Sequence, residues 1–282
     1  MKIIERVDEL KKVVGSLKQE GKTVGFVPTM GYLHEGHLSL VRSSRQDNDI
    51  TIMSIFVNPV QFGPSEDFEK YPRDIEGDSR KAGEAGVGIL FIPSVKEMYP
   101  DNYNTYVEVV GITDMLCGKS RPGHFKGVCT VVLKLFNIVE PDRAYFGQKD
   151  AQQVAVIRRM VRDLNSRVQI VACPIVREKD GLAMSSRNVY LSREEREAAL
   201  ILSKSLTEAA AMAAGGERSR GRLQAYLVGR ISGEKLADID YVEILDAETL
   251  ELKETLKGRT LLAVAVRFGK TRLIDNVLVE VN

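Results

Sequence analysis

The chain has 282 residues, 40 Lys and Arg against 39 Asp and Glu, a net charge of +1, 44% hydrophobic residues and 28% charged ones. That balance leaves no basic footprint for nucleic acid, no run approaches the roughly 18 unbroken apolar residues of a membrane span, and two unequal domains fit the length best. Cys117, Cys129 and Cys173 form no Cys-x-x-Cys pair, and Met1-Lys2-Ile3-Ile4-Glu5-Arg6 lacks the apolar stretch of a signal peptide, so a reducing, cytoplasmic setting is expected.

Apolar runs at 24–27, 50–57, 89–92, 143–146 and 168–172 read as strands, alternating with helical patterns at 37–45, 74–85, 125–139 and 150–165. This alternation predicts an α/β domain over residues 1–175, a parallel sheet with helices on both faces. In the helix from Asp150, the residues Val154, Ile157, Met160, Val161 and Leu164 follow i, i+3, i+4 spacing, so one face packs and the polar first turn is left for a ligand. After Asp180-Gly181 the pattern changes. Ser192 and Glu195 form a capping box that opens a helix to about residue 212, Gly215-Gly216 closes it, and a second helix follows around 219–229. Runs at 241–245, 261–266 and 273–279 then read as strands without helices between them, which predicts a smaller α+β domain at 176–282 with an antiparallel sheet.

Three constellations carry chemistry. His34 and His37, two of only three histidines, sit one helical turn apart where the first long strand hands over to a helix. A helix N-terminus aims unpaired N–H groups and the positive end of its dipole at one spot, so a phosphate suits this turn. A metal site and a solvated surface turn are the other readings, and the metal needs a third ligand for which His124 is the remaining histidine. The second is Phe146-Gly147-Gln148-Lys149-Asp150 with Gln152-Gln153, again a strand end, a glycine and a helix start. Lys149 offers a point charge to phosphate or is a solvated surface charge, and Asp150 suits a helix cap. Ligands of open α/β sheets lie outside the carboxyl ends of the strands, which favours the first reading of Lys149. The third is the polar loop Gly181-Leu182-Ala183-Met184-Ser185-Ser186-Arg187-Asn188, a phosphate clasp or a domain linker. A Walker loop, a dinucleotide fingerprint and a Gly-x-Ser-x-Gly elbow are all missing from the sequence.

Thr29-Met30-Gly31 through His34-Glu35-Gly36-His37 resembles the histidine signature of the nucleotidylyltransferase superfamily, and Met184-Ser185-Ser186-Arg187 resembles its mobile phosphate-clasping loop. Adding Phe56-Val57-Asn58-Pro59-Val60-Gln61-Phe62, Arg121-Pro122-Gly123-His124-Phe125, Phe146 to Gln153 and Thr271-Arg272-Leu273-Ile274-Asp275-Asn276, the chain is similar along nearly its whole length to the pantoate-beta-alanine ligase family. Gln148 departs from the glutamate that stands there in many members. The resemblance implies a Rossmann-like first domain for nucleotide and pantoate, with the second domain acting as a lid. It further implies ATP-dependent condensation of (R)-pantoate with beta-alanine through pantoyl adenylate, giving pantothenate, AMP and pyrophosphate. Small-molecule substrates, Mg2+, a homodimer and no nucleic-acid or membrane partner follow from the same likeness.

By this resemblance His34, His37 and Lys149 are catalytic, with His37 facing the departing pyrophosphate and Lys149 the charge of the transition state. Met30, Gly31, Gly36, Gly147, Asp150, Val176, Met184, Ser185, Ser186 and Arg187 join them in binding ATP. Gln61 and Gln153 contact pantoate or beta-alanine, and Asn58 supports that pocket. No protein ligand for magnesium is assigned: Asp74 and Asp78 are available, but carboxylates at i, i+4 on a helix read as a solvated face. The competing classes are a nucleotidyltransferase that stops after the first step, a non-catalytic nucleotide sensor and a zinc protein built on the three histidines.

Overall fold

A computed structural model of the chain describes residues 1–64 and 68–281. The chain divides into two compact units, the first of residues 1–148 and 156–174, the second of 149–155 and 175–282.

The first unit is built on strands β1 (Lys2–Ile4), β2 (Val24–Thr29), β3 (Ile50–Ile55), β4 (Ile89–Phe91), β5 (Arg143–Gly147) and β6 (Gln169–Cys173). They form one parallel sheet in the order β1-β4-β3-β2-β5-β6. The helices are α1 (Val7–Gln19), α2 (Glu35–Asp47), α3 (Ile75–Glu84), the short α4 (Val95–Met98) and α5 (Leu116–Ser120), α6 (His124–Val139) and, from residue 156 onward, α7 (Ala151–Asp163). This is the Rossmann-like arrangement that alternating strands and helices predict. The order runs outward from β2 through β3 in one direction and through β5 in the other, so the topological switch point lies between β2 and β5.

Central β2 is buried along nearly its whole length, as a strand covered on both faces must be. Successive side chains leave opposite faces of a strand. Val27 therefore joins Met53, Leu90 and Tyr145 in a core with Leu40 and Val41 of α2 and Ala82 of α3. Phe26 points the other way and meets Phe136 of α6 edge-on, with ring centroids 6.5 Å apart. Four elements escape the sequence pattern: the short helices α4 and α5, β1, which is only three residues long, and α1, whose charged residues obscure a narrow apolar face of Leu10 and Val14.

The second unit holds α8 (Arg193–Ala214), α9 (Arg220–Ser232) and an antiparallel sheet of β7 (Ala237–Asp246), β8 (Gly258–Phe268) and β9 (Thr271–Val281) in that order. Ser192 and Glu195 make the expected capping box, with Ser192 Oγ accepting from Glu195 N at 3.1 Å and Glu195 Oε2 accepting from Ser192 N at 2.9 Å. Leu202 and Leu206 of α8 and Leu223, Leu227 and Ile231 of α9 bury against Leu262, Val264 and Val266 of β8. All three strands run longer than their apolar cores suggest, because polar residues such as Asp240, Arg267 and Arg272 interrupt the apolar pattern before the ladder ends.

Helix α2, which follows the histidine turn, is pinned at its far end by the buried Tyr145. Its hydroxyl donates to Asp47 Oδ2 at 2.9 Å and accepts from Asn48 Nδ2 at 2.8 Å. Burial pushes this phenol up to about 12, so it stays a donor across the working range. Tyr145→Phe is expected to cost about 1 kcal/mol in denaturant unfolding; an unchanged unfolding midpoint would contradict this anchoring.

Candidate active site

The turn after β2 is shaped by backbone and held from the side. Gly31 (φ +88°) and Tyr32 (φ +53°) both occupy the left-handed region, which only glycine adopts without cost. A Cβ on Gly31 would stand 3.0 Å from both Asp78 Oδ2 and Ile55 Cγ2. Asp78, on α3 and completely buried, accepts the N–H of Tyr32 through Oδ2 and that of Leu33 through Oδ1, each at 2.7 Å. Lys81, almost one turn further along α3, donates its ammonium to the Leu33 carbonyl at 2.9 Å. The solvated face expected at Asp74 and Asp78 is thus corrected. Asp74 caps α3 by accepting from Gly77 N at 3.0 Å, and Asp78 is spent on the turn.

The two histidines replace the usual serine and glutamate of a capping box. His34 is the N-cap of α2 and accepts from Gly36 N through Nδ1 at 3.1 Å, while His37 Nδ1 accepts from His34 N at 3.3 Å. A neutral ring that accepts at Nδ1 carries its proton on Nε2. Both imidazoles are therefore set as Nε2 donors, with their half-buried rings 4.1 Å apart between centroids. This cap also explains why α2 starts two residues before the helix read from the sequence: His37, taken as the first helical residue, is already the third. Met30 precedes the pair and Gly36 lies between its two members.

Directly after the neighbouring β3, the 3-10 turn Pro59–Gln61 presents Gln61. Its Nε2 lies 3.2 Å from Met30 Sδ, so the structure brings this amide and the histidine turn together. Asn58, only 1% exposed, is wholly engaged. Its Nδ2 donates to Gln61 Oε1 and the Gly127 carbonyl at 3.1 Å each, and its Oδ1 accepts from Tyr99 Oη at 2.8 Å and Val60 N at 3.3 Å. Burial pushes the Tyr99 phenol upward, which keeps it a donor. Asn58 thus ties the Gln61 side chain to α6 and to Tyr99.

Sequence reasoning missed how α6 fixes this turn. The Gln61 carbonyl can only accept, so His124 Nδ1, 2.9 Å away, carries the proton, and His124 Nε2 lies 3.0 Å from Arg121 Nη1, which donates to it. His124 is committed to Gln61 and Arg121, and among the described residues no group of three His, Cys, Asp or Glu side chains is placed to hold a metal ion. Gly127 lets the backbones touch: a Cβ there would sit 2.5 Å from the Val60 carbonyl and 2.6 Å from Gln61 Cα. A glycine inside an otherwise apolar helix was the one available signal.

The other candidate residues belong mainly to the second unit. β5 ends at Gly147, and a 3-10 turn, Gln148–Asp150, leads into α7. Lys149 is half-buried and Asp150 exposed, and Gln153 is half-buried on the first turn of α7. After β6 the chain enters a hairpin in which Met184 N donates to the Val176 carbonyl at 3.0 Å and Glu178 N to Leu182 O at 2.8 Å. The loop beyond it is braced. Ser185 Oγ caps the 3-10 turn Ser186–Tyr190 by accepting from Arg187 N at 3.2 Å. Asn188 Nδ2 donates to Glu178 Oε1 at 2.7 Å, and Arg196 of α8 donates to Glu178 Oε2 at 2.5 Å and Asp180 Oδ2 at 2.7 Å. Arg177, at the hairpin's base, pairs at two points with the buried Asp275, at 2.6 and 3.0 Å.

A family model described as pantoate-beta-alanine ligase matches residues 2–278. The chain belongs to the pantoate-beta-alanine ligase family. Its reaction is the ATP-dependent joining of pantoate to beta-alanine, which forms pantothenate. A pantothenate synthetase of Acetivibrio thermocellus is 65% identical over 281 residues, covering 100% of both chains. Among solved structures, the pantothenate synthetase of Thermus thermophilus superposes with a TM-score of 0.94 at 46% identity, covering 98% of this chain and 99% of that one. The pantoate-beta-alanine ligase of Francisella tularensis, complexed with beta-gamma ATP and beta-alanine, gives a TM-score of 0.82 at 36% identity over 99% of this chain and 97% of its own.

In this ligase Gly127→Ala forces the helix and the Gln61 turn apart, a form of overpacking that costs about 1–3 kcal/mol. Thermal unfolding should report a lowered Tm, with ligase activity reduced well below the melt; a variant with parental Tm and activity would contradict the contact.

Proposed function

We propose that the ligase activates pantoate on ATP before the amine enters. The pantoate carboxylate attacks the α-phosphorus, pyrophosphate leaves, and the mixed anhydride, pantoyl adenylate, forms. The beta-alanine amine then attacks the acyl carbon and AMP departs. The observation that carries this reading is the reciprocal histidine cap, which fixes two imidazoles as Nε2 donors on the first turn of α2. Donors already oriented where charge develops stabilise a transition state without reorganising. The Francisella tularensis complex supports ATP and beta-alanine as the substrates of this chain as well.

On this reading His34 and His37 bind the phosphates, His37 serves the departing pyrophosphate, and Lys149 offsets the negative charge gathering at the α-phosphorus. Ser185, Ser186 and Arg187 hold the β and γ phosphates. Met30, Gly31, Gly36, Gly147, Asp150, Met184 and the Val176 backbone receive the rest of ATP. Gln61 and Gln153 address pantoate, since an amide both donates and accepts and so suits a substrate with a carboxylate and hydroxyls. Asn58 holds Gln61 in place. Magnesium is assigned to the nucleotide's own phosphate oxygens, because Asp74 and Asp78 are committed to backbone N–H groups. A homodimer follows from the family likeness. A cytoplasmic setting is supported by the three widely spaced, buried cysteines, of which Cys129 has its thiol pushed up to about 12 by burial.

Labelled pyrophosphate should exchange into ATP when pantoate is present and beta-alanine absent. Exchange without pantoate, or none with it, would refute an adenylate intermediate. His37→Ala should lower kcat by about 10²–10³-fold with the KM for ATP changed far less. A parental kcat would remove His37 from the chemistry.

A further inference from the structure

The run Thr271 to Asn276, singled out in the sequence, lies in β9 and has no part in the chemistry assigned above. Its last two residues are each 3% exposed. Neighbours on a strand leave on opposite faces, so they serve different segments. Asp275 pairs with Arg177 and also accepts the N–H of Asn276 at 2.8 Å. Asn276 sends its Nδ2 to the backbone carbonyl of Lys149, 2.9 Å away and 127 positions distant in sequence. Lys149, Arg177 and β9 all belong to the second unit.

We propose that Asn276 is a positioning residue for Lys149. A lysine is a point charge on a flexible four-carbon stem, and where that charge dwells depends on where the backbone beneath it is held. Lys149 sits in a single 3-10 turn, the weakest regular element in its neighbourhood, directly after Gly147. The antiparallel ladder of β9 with β8 fixes Asn276 opposite Ala263, and the Asp275 carboxylate holds its N–H. The rigid sheet is thereby tied to the lysine's own carbonyl. A carbonyl only accepts, so the tie needs the amide N–H of asparagine. Aspartate, with the same shape, presents an oxygen in its place. The inference rests on the assignment of Lys149 to transition-state charge.

A kinetic double-mutant cycle between Asn276 and Lys149 tests it. Asn276→Ala and Asn276→Asp, both confirmed folded by thermal unfolding, should lower kcat about tenfold to a hundredfold with the KM for pantoate little changed. In a Lys149→Ala background the same Asn276 substitutions should change kcat by less than about twofold, because the group they position is gone. Multiplying effects in the double variants, or a parental kcat in both single Asn276 variants, overturns the proposal while the role of Lys149 stands. A parental kcat in Lys149→Ala alone overturns the Lys149 assignment and the proposal with it, and leaves pantoate-dependent pyrophosphate exchange intact as the sign that adenylation still occurs.

Discussion

A single buried carboxylate sets the geometry of the histidine turn. Asp78 lies wholly out of solvent and spends both oxygens on consecutive backbone N–H groups, those of Tyr32 and Leu33. Two left-handed residues in succession are costly where the second is not glycine, and such a turn persists only when its surroundings determine it. The carboxylate supplies that determination, and Lys81 completes it from the same helix. Because the turn is fixed, His34 falls at the N-cap of α2 and His37 at its third residue, and the two rings cap the helix reciprocally.

The same logic recurs within each unit: candidate substrate-binding groups are held by other groups of the same unit. Gln61 is placed by Asn58, Tyr99 and His124, while Gly127 permits the helix to approach. In the second unit the Ser185 to Arg187 segment is flanked by a hairpin closed at Val176 and Met184 and by the Glu178, Asn188 and Arg196 network. Prior orientation of this kind suits the proposed attack of a carboxylate on a polyphosphate, which placement and charge can assist.

Local pattern made the two-sided sheet, the capping box at Ser192 and the antiparallel C-terminal strands legible, because periodicity and caps are written into neighbouring residues. The histidine turn was legible as a strand-to-helix junction, but its capping role was not, since imidazoles seldom stand in for serine and glutamate. Asp78 could not be recognised as its anchor: α3 follows the turn by some forty residues, and only the crossover between strands brings the two together. The grouping of residues 149–155 with the second unit was hidden for a similar reason. In sequence they open a helix whose remainder groups with the first unit, and the bond from Asn276 that ties Lys149 to β9 spans nearly half the chain.

Asp78→Asn gives the most direct measurement, because it preserves shape while leaving only one oxygen to accept from the two N–H groups. Pantoate-dependent exchange of labelled pyrophosphate into ATP, measured on folded variant and parent under the same conditions, isolates the step proposed for the histidine turn. Exchange should be slowed by at least about tenfold if the oriented imidazoles act in this step as proposed. Exchange at the parental rate in a folded Asp78→Asn protein would show that the turn keeps its catalytic shape without the carboxylate, and would contradict the account.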